Sequence, residues 1–241
     1  MRYFFITGTS SGLGKALAGE LLKKENVKVI GISRRCTIEH PNYIHHTVNI
    51  ADLKQLISSL PNIFSILSDA DEIVLINNAG ILGQIGYIGN LEDKNIEEVI
   101  NTNVAAPAIM LNDFLKKYKK YPFPKVVINI SSGAGKRAVD GWAFYCASKA
   151  ALNMITQVAN EEEKRASHKV RFYSVVPGII DTAMQEHIRN VSPQEFSRSE
   201  EFINYKKDGK LSSPSITAEK IIYLIENKDE FTETEISVRD L

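Results

Sequence analysis

The stretch Ile6-Thr7-Gly8-Thr9-Ser10-Ser11-Gly12-Leu13-Gly14 follows an apolar, aromatic run, Tyr3–Thr7, and opens an amphipathic one, Leu13–Lys24. A strand that turns through three glycines into a helix is the loop by which dinucleotide-binding folds hold phosphate. Gly8 permits the tight turn out of the strand, Gly12 lets backbone approach a pyrophosphate, and Gly14 lets helix pack closely on sheet. The unpaired N–H groups and the positive dipole end of the helix then face the phosphates. The triplet alone would equally suit a flexible turn. Its place between strand and helix favours the cofactor loop, with Ile6, Gly8, Ser10, Ser11, Gly12, Leu13 and Gly14 as its expected contacts.

Outward from this loop the same alternation continues. Further short β-branched runs follow at Val27–Ile32, Tyr43–Asn49, Glu72–Asn77, Lys125–Ser131, Val170–Val176 and Glu235–Val238. Several are apolar almost throughout, as strands buried on both faces of a parallel sheet should be. Helical patterns lie between them at Asp52–Leu67, Asn95–Tyr118, Ala143–Arg165 and Thr217–Glu226. The expected architecture is α/β: a Rossmann-type, doubly wound, seven-stranded parallel sheet with helices on both faces. No repeat or linker marks a boundary, so residues 1–241 read as one dinucleotide-binding domain. The polar segment 182–213, with Pro193 inside it and Pro214 at its end, interrupts the rhythm. It falls beyond the carboxyl ends of the strands, where open α/β sheets bind ligands, and is expected to form a substrate lid.

Composition narrows the functional class. The 241 residues carry 29 Lys plus Arg against 29 Asp plus Glu, so a nucleic-acid partner held by phosphate neutralisation is not expected. No apolar run approaches the roughly 20 residues of a membrane span, and the early glycine loop does not suit a signal peptide. Two cysteines, Cys36 and Cys146, make neither a disulfide framework nor a zinc site, and the reading is cytoplasmic. Cys146 is given no role. No metal is expected, because His40, His45 and His46 lack carboxylate or cysteine company. The run Lys116–Lys120 reads as a solvated helix end.

The second strand bears on which dinucleotide binds. NAD sites place an acid on the adenosine ribose about 20 residues past the glycines. Here the strand ends Gly31-Ile32-Ser33-Arg34-Arg35, with no carboxylate. Arg34 could hold a 2′-phosphate with a charge-assisted fork, and Arg35 is a weaker candidate that could simply be solvated. The expected cofactor is NADP(H), with Ser33, Arg34 and Arg35 at its adenosine end.

Further stretches carry chemistry. Asn77-Asn78-Ala79-Gly80 follows the fourth strand, Asn103 lies in the next helix, and Ser131-Ser132 ends the fifth strand. Tyr145 and Lys149 stand four apart on one helical face, so an ammonium can sit beside a phenol whose ordinary pKa is about 10. A nearby cation favours the phenolate, which suits an acid or base at neutral pH.

Together these residues resemble the short-chain dehydrogenase/reductase family, and the resemblance runs over essentially the whole chain. By that resemblance Tyr145 is the general acid/base, Lys149 binds the nicotinamide ribose and lowers the Tyr pKa, and Asn103 holds a relay water. Ser132, thirteen residues before Tyr145, bonds the substrate carbonyl, with Ser131 the lesser candidate. Asn78, Ala79 and Gly80 line the adenosine ribose, and Pro177, Gly178, Ile180 and Thr182 stand beside the nicotinamide. The chain departs from the family pattern at Asn49, where an adenine-contacting Asp is usual. It departs again at Ser11, where many NADP-dependent members have Arg or Lys.

Ser132-Gly133-Ala134, Gly141-Trp142, Asp181–Gln185 and Lys210–Pro214 are similar to the sepiapterin reductase branch, and within it to bacterial reductases of benzil. The resemblance implies an NADPH-dependent carbonyl reductase for a small-molecule carbonyl substrate, a vicinal diketone or a sepiapterin-like side chain. Homodimers are usual in the family. Trp142 and Met184 are expected as pocket wall or as packing, and Asp240 as an anchor for a pterin ring. Two other readings share these residues: an alcohol dehydrogenase running toward oxidation, and a dinucleotide-sensing regulator.

Overall fold

A computed structural model describes residues 1–67, 69–166 and 168–241. Seven strands form one parallel sheet in the order β3-β2-β1-β4-β5-β6-β7. They are β1 (Arg2–Thr7), β2 (Val27–Ser33), β3 (Tyr43–Thr47), β4 (Glu72–Asn77), β5 (Lys125–Ile130), β6 (Val170–Val176) and β7 (Glu235–Ser237). β4 and β5 are buried at every residue, because helices cover both faces and leave no polar side for alternation. The strand order reverses at β1, which pairs with β2 through Phe5↔Ile30 and with β4 through Phe5↔Leu75. Chains leaving β1 and β4 therefore diverge above the sheet, and the crevice between them is where the glycine loop sits.

On one face lie α1 (Gly12–Leu22) and α8 (Pro214–Glu226), whose Leu17, Leu21, Ile221 and Leu224 pack on Phe4, Val74 and Val126. On the other lie α2 (Leu53–Ile63), α4 (Ala106–Tyr118) and α5 (Ala143–Ala166). Phe5, Phe64, Phe114 and Tyr118 meet there in edge-to-face contacts at centroid distances of 5.1 to 6.4 Å. Among the described residues no helix is long and apolar enough to cross a membrane.

Three expectations are corrected. The helix expected over Asp52–Leu67 ends at Ile63, with Pro61 inside its last turn. The one expected over Asn95–Tyr118 is three pieces: α3 (Asp93–Ile100), a π-helical turn Asn101–Ala105, and α4. Pro107 explains the wide turn, since it cannot donate to the carbonyl of Asn103 four residues back. The segment 182–213, to which the sequence reading assigns no helix, holds α6 (Ala183–Arg189) and α7 (Ser199–Lys207). Its two ends are pinned together, Asp181 N donating to Ser212 O and Ser212 N to Ile179 O. Pro214 lies outside it, as the first residue of α8, behind a Ser213 cap that accepts from Ile216 N at 3.2 Å.

Candidate active site

A cleft of about 1140 Å³ opens over the carboxyl ends of β1, β4, β5 and β6. Its floor is built by an exchange between β1 and the end of β4. Thr7 Oγ1 accepts from the N–H groups of Asn78 and Ala79, each at 3.0 Å, while Asn78 Nδ2 donates to Thr7 O at 2.9 Å. The glycine loop is thereby locked to the Asn78-Ala79-Gly80 turn. Gly14 completes the lock from inside: a Cβ there would stand 2.3 Å from Gly8 O and 2.4 Å from Asn78 Nδ2. Gly8, Ser10, Ser11, Gly12 and Leu13 line the cleft, as do Asn78, Ala79 and Gly80. Ile6 and Gly14 do not; Ile6 is core and Gly14 is the helix-to-loop contact.

The far wall carries Tyr145, Lys149 and Ser132. Lys149 Nζ lies 5.8 Å from the Tyr145 ring centroid and donates to Ile130 O at 2.8 Å. Burial lowers its pKa to about 8. The expectation that Lys149 lowers the Tyr145 pKa is corrected: burial raises Tyr145 above its ordinary value, and it is the Ser132 hydroxyl that pulls it partly back. A phenol so placed stays protonated at neutral pH, ready to donate. Ser131 turns away: its Oγ donates to Asn153 Oδ1 at 2.5 Å, an acceptor shared with Ser174 Oγ at 2.6 Å. The structure leaves Ser132, not Ser131, on the open side.

Asn103 is 1% exposed and lies behind the cleft wall. The π turn swings it toward β4, where its Oδ1 accepts from Ile81 N at 2.9 Å. Its Nδ2 donates to Ile81 O at 2.7 Å and to Ser148 Oγ at 3.1 Å. In this state its amide is committed to protein atoms.

The remaining expected residues divide. Ser33, Arg34 and Asn49 line one end of the cleft, the end expected to hold adenosine, and Pro177, Gly178, Ile180 and Thr182 line it elsewhere. Arg35 stands off the wall, its carbonyl accepting from Ser33 Oγ. Trp142 and Met184 line the cleft, within an apolar cluster that surrounds Tyr145. For the C-terminal tail the structure is a correction: Arg239, not Asp240, is on the wall, because a short 3-10 turn over Val238–Asp240 leaves Asp240 exposed and outside.

Sequence reading missed a charged group on the segment above the cleft. Arg198 binds Glu201 through Nε at 2.6 Å and Nη2 at 2.9 Å, and Tyr205 OH donates to the same carboxylate. The spacing of 198, 201 and 205 is helical and was visible, but it stands in the segment read as a polar insertion, where the sequence reading assigns no helix.

The residues fit a nicotinamide dinucleotide. α1 starts without a side-chain cap and with no acid in its first turn, so its N–H groups are open to phosphate. One of the three Lys149 donors is taken, and among the described residues no second acceptor takes the others.

The profile of the short chain dehydrogenase family matches residues 2–192. The chain belongs to that family. As a member it is an oxidoreductase. It is 38% identical to a benzil reductase ((S)-benzoin forming) of Bacillus cereus, over 98% of each chain. To the enzyme of the same name in Bacillus subtilis it is 33% identical, over 95% of this chain and 96% of that one. Sepiapterin reductase of Xenopus tropicalis is 32% identical over 65% of this chain and 59% of its own length. Among solved structures, a Saccharomyces cerevisiae short chain dehydrogenase/reductase superposes with a TM-score of 0.82 at 24% identity, covering 99% and 96% of the two chains. That likeness is one of fold.

Proposed function

We propose that the protein is an NADPH-dependent carbonyl reductase that reduces one carbonyl of a vicinal diketone carrying an aromatic or bicyclic body. The observation that carries this reading is a protonated, buried Tyr145 with Ser132 and Lys149 beside it, in a cleft walled by Trp142, Met184, Ile188 and Phe202. Full-length similarity to benzil reductases points to the same substrate class.

The bound dinucleotide would supply the hydride. The chain's own residues manage the charge that develops on the carbonyl oxygen. Tyr145 donates its proton there, and Ser132 gives a second hydrogen bond. Lys149, cationic below about pH 8, steadies the phenolate that Tyr145 leaves behind and offers its free N–H donors to ribose hydroxyls. Asn103 lies one helical contact away, through Ser148, and a relay through it requires its amide to exchange a protein partner for water. Segment 182–213 works as a lid that keeps water from the reacting carbon. A second carbonyl withdraws electron density from the first, which eases hydride attack relative to an isolated ketone.

Arg34 is the residue we assign to the 2′-phosphate. It lines the adenosine end, and among the described residues no carboxylate lies within ion-pair distance of it. The sheet forms a single dinucleotide-binding domain in this reading. Cytoplasmic location and homodimerisation complete it, the latter supported by exposed Met154 and Val158 one turn apart on α5. The deciding experiment compares kcat/KM for benzil, 1-phenyl-1,2-propanedione, sepiapterin and cyclohexanone by loss of NADPH absorbance. Diketones well ahead of cyclohexanone are expected; equal values remove the substrate assignment.

A further inference from the structure

The sole tryptophan, Trp142, stands between the segment over the cleft and the tyrosine beneath it. It opens α5: its carbonyl accepts from Cys146 N at 2.8 Å, the first bond of the helix whose first turn presents Tyr145. Its indole stacks on Phe196 at 5.1 Å and 12° between planes. It meets Phe202 of α7 at 5.5 Å and 62°, and the Tyr145 ring at 5.7 Å and 84°. Phe196 is 0% exposed, so the stack is core-like and not a surface contact.

The backbone around this stack is tied on both sides. The Asp140 carboxylate accepts from Ser197 N at 2.9 Å and from Ser197 Oγ at 3.0 Å. Gly86 N donates to Gly141 O at 3.1 Å. Gly141 has φ +72°, and a Cβ there would stand 2.7 Å from Glu195 O, so the two chains pass backbone against backbone. The indole Nε1, by contrast, is buried with no acceptor among the described residues. Nothing polar orients the ring; the aromatic faces of Phe196 and Phe202 do.

We propose that Trp142 is the positioning residue that couples docking of segment 182–213 to the alignment of Tyr145. The proposal rests on Tyr145 being the proton donor. With the segment seated, Phe196 presses the indole against Tyr145 and holds the phenol toward Ser132. Undocking takes Phe196 away, leaves a void behind the indole, and frees the phenol to leave its line. Proton transfer depends on sub-ångström placement, so the donor is aligned only while the cleft is closed over substrate.

The test uses the single tryptophan as its own reporter. In the wild type, Trp142 emission should resist iodide quenching. Phe196→Leu should expose it, lower kcat on 1-phenyl-1,2-propanedione by about ten- to a hundredfold, and leave NADPH affinity unchanged. Trp142→Leu should lose a similar factor, the double variant should lose no more than either single one, and Trp142→Phe should restore most of the rate. Losses that multiply in the double variant, or a Phe196→Leu effect confined to KM, overturn the coupling. Wild-type protein that oxidises NADPH with no carbonyl fails the functional reading instead; the iodide comparison then still decides whether Phe196 holds the indole.

Discussion

In the proposed function three side chains matter most at the residue scale, and each makes a separable prediction. Tyr145→Phe keeps the ring that packs on Trp142 and removes only the hydroxyl, so NADPH should bind as before while turnover falls by at least ~10². Single-turnover kinetics with a diketone check this, and near wild-type rates would sink the mechanism. Lys149 sets a pH limit. Burial has lowered its pKa to about 8, so it is cationic below that value and neutral above it. Reduction should hold through neutral pH and decline above about pH 8, and Lys149→Arg, which does not lose its charge, should lack that alkaline limb. At the adenosine end, Arg34→Ala should weaken NADPH by about ten- to a hundredfold and leave NADH nearly unchanged, since only NADPH carries the 2′-phosphate. Titration of both cofactors against both proteins decides it. The motif residues were legible because their spacing is local: Tyr145 and Lys149 share a face on any helix. That Ser131 faces Asn153 while Ser132 stays open was not, since it depends on where β6 brings Ser174.

At the scale of elements, the glycine loop and the π turn show how a sequence signal becomes geometry. Gly14→Ala would force Cβ against the backbone of Gly8 and the amide of Asn78, neither of which can yield without unlocking the β1–β4 floor. Overpacking of this kind costs about 1–3 kcal/mol, and at about 2–4 °C per kcal/mol for a chain of this size the melting temperature should fall measurably. Cofactor affinity should fall with it, which thermal melts with and without NADPH would report. The π turn could be suspected from Pro107, whose ring opposes a regular helix, yet the sequence offers no means of knowing that the chain would widen there and not break. The Ile81 backbone beyond β4 supplies that decision, its N–H donating to Asn103 Oδ1 and its carbonyl accepting from Asn103 Nδ2. Helices α6 and α7 were missed for a related reason. Their buried apolar residues, Ile188 and Phe202, face a small cluster around Tyr145 and not the sheet, so the stripe that marks a helix on a large core is short.

For the whole molecule, the cleft divides the sheet at the switch between β1 and β4, and ligand bound across it joins the two halves. A cofactor that binds only the folded chain stabilises it by about 2.7 kcal/mol at a hundredfold excess over Kd. NADPH at that level should therefore raise the melting temperature by about 5–10 °C, and at equal concentration NADH should raise it less. Equal shifts for the two would argue against Arg34 as the discriminating residue. Resemblance to the family picked out Ser132; sequence alone determined the seven-stranded parallel α/β class, the glycine loop and the Tyr145–Lys149 pair. Each is written in near-neighbour spacing and strand periodicity, which survive without knowledge of packing. Tertiary structure alone decided that Arg239 and not Asp240 reaches the cleft, and that Phe196 stacks on Trp142 against Tyr145. The aromatic pairing joins residues whose separation along the chain carries no periodic signal, and only the closing of the segment 182–213 over the strand ends brings them within reach, while the 3-10 turn over Val238–Asp240 settles the tail.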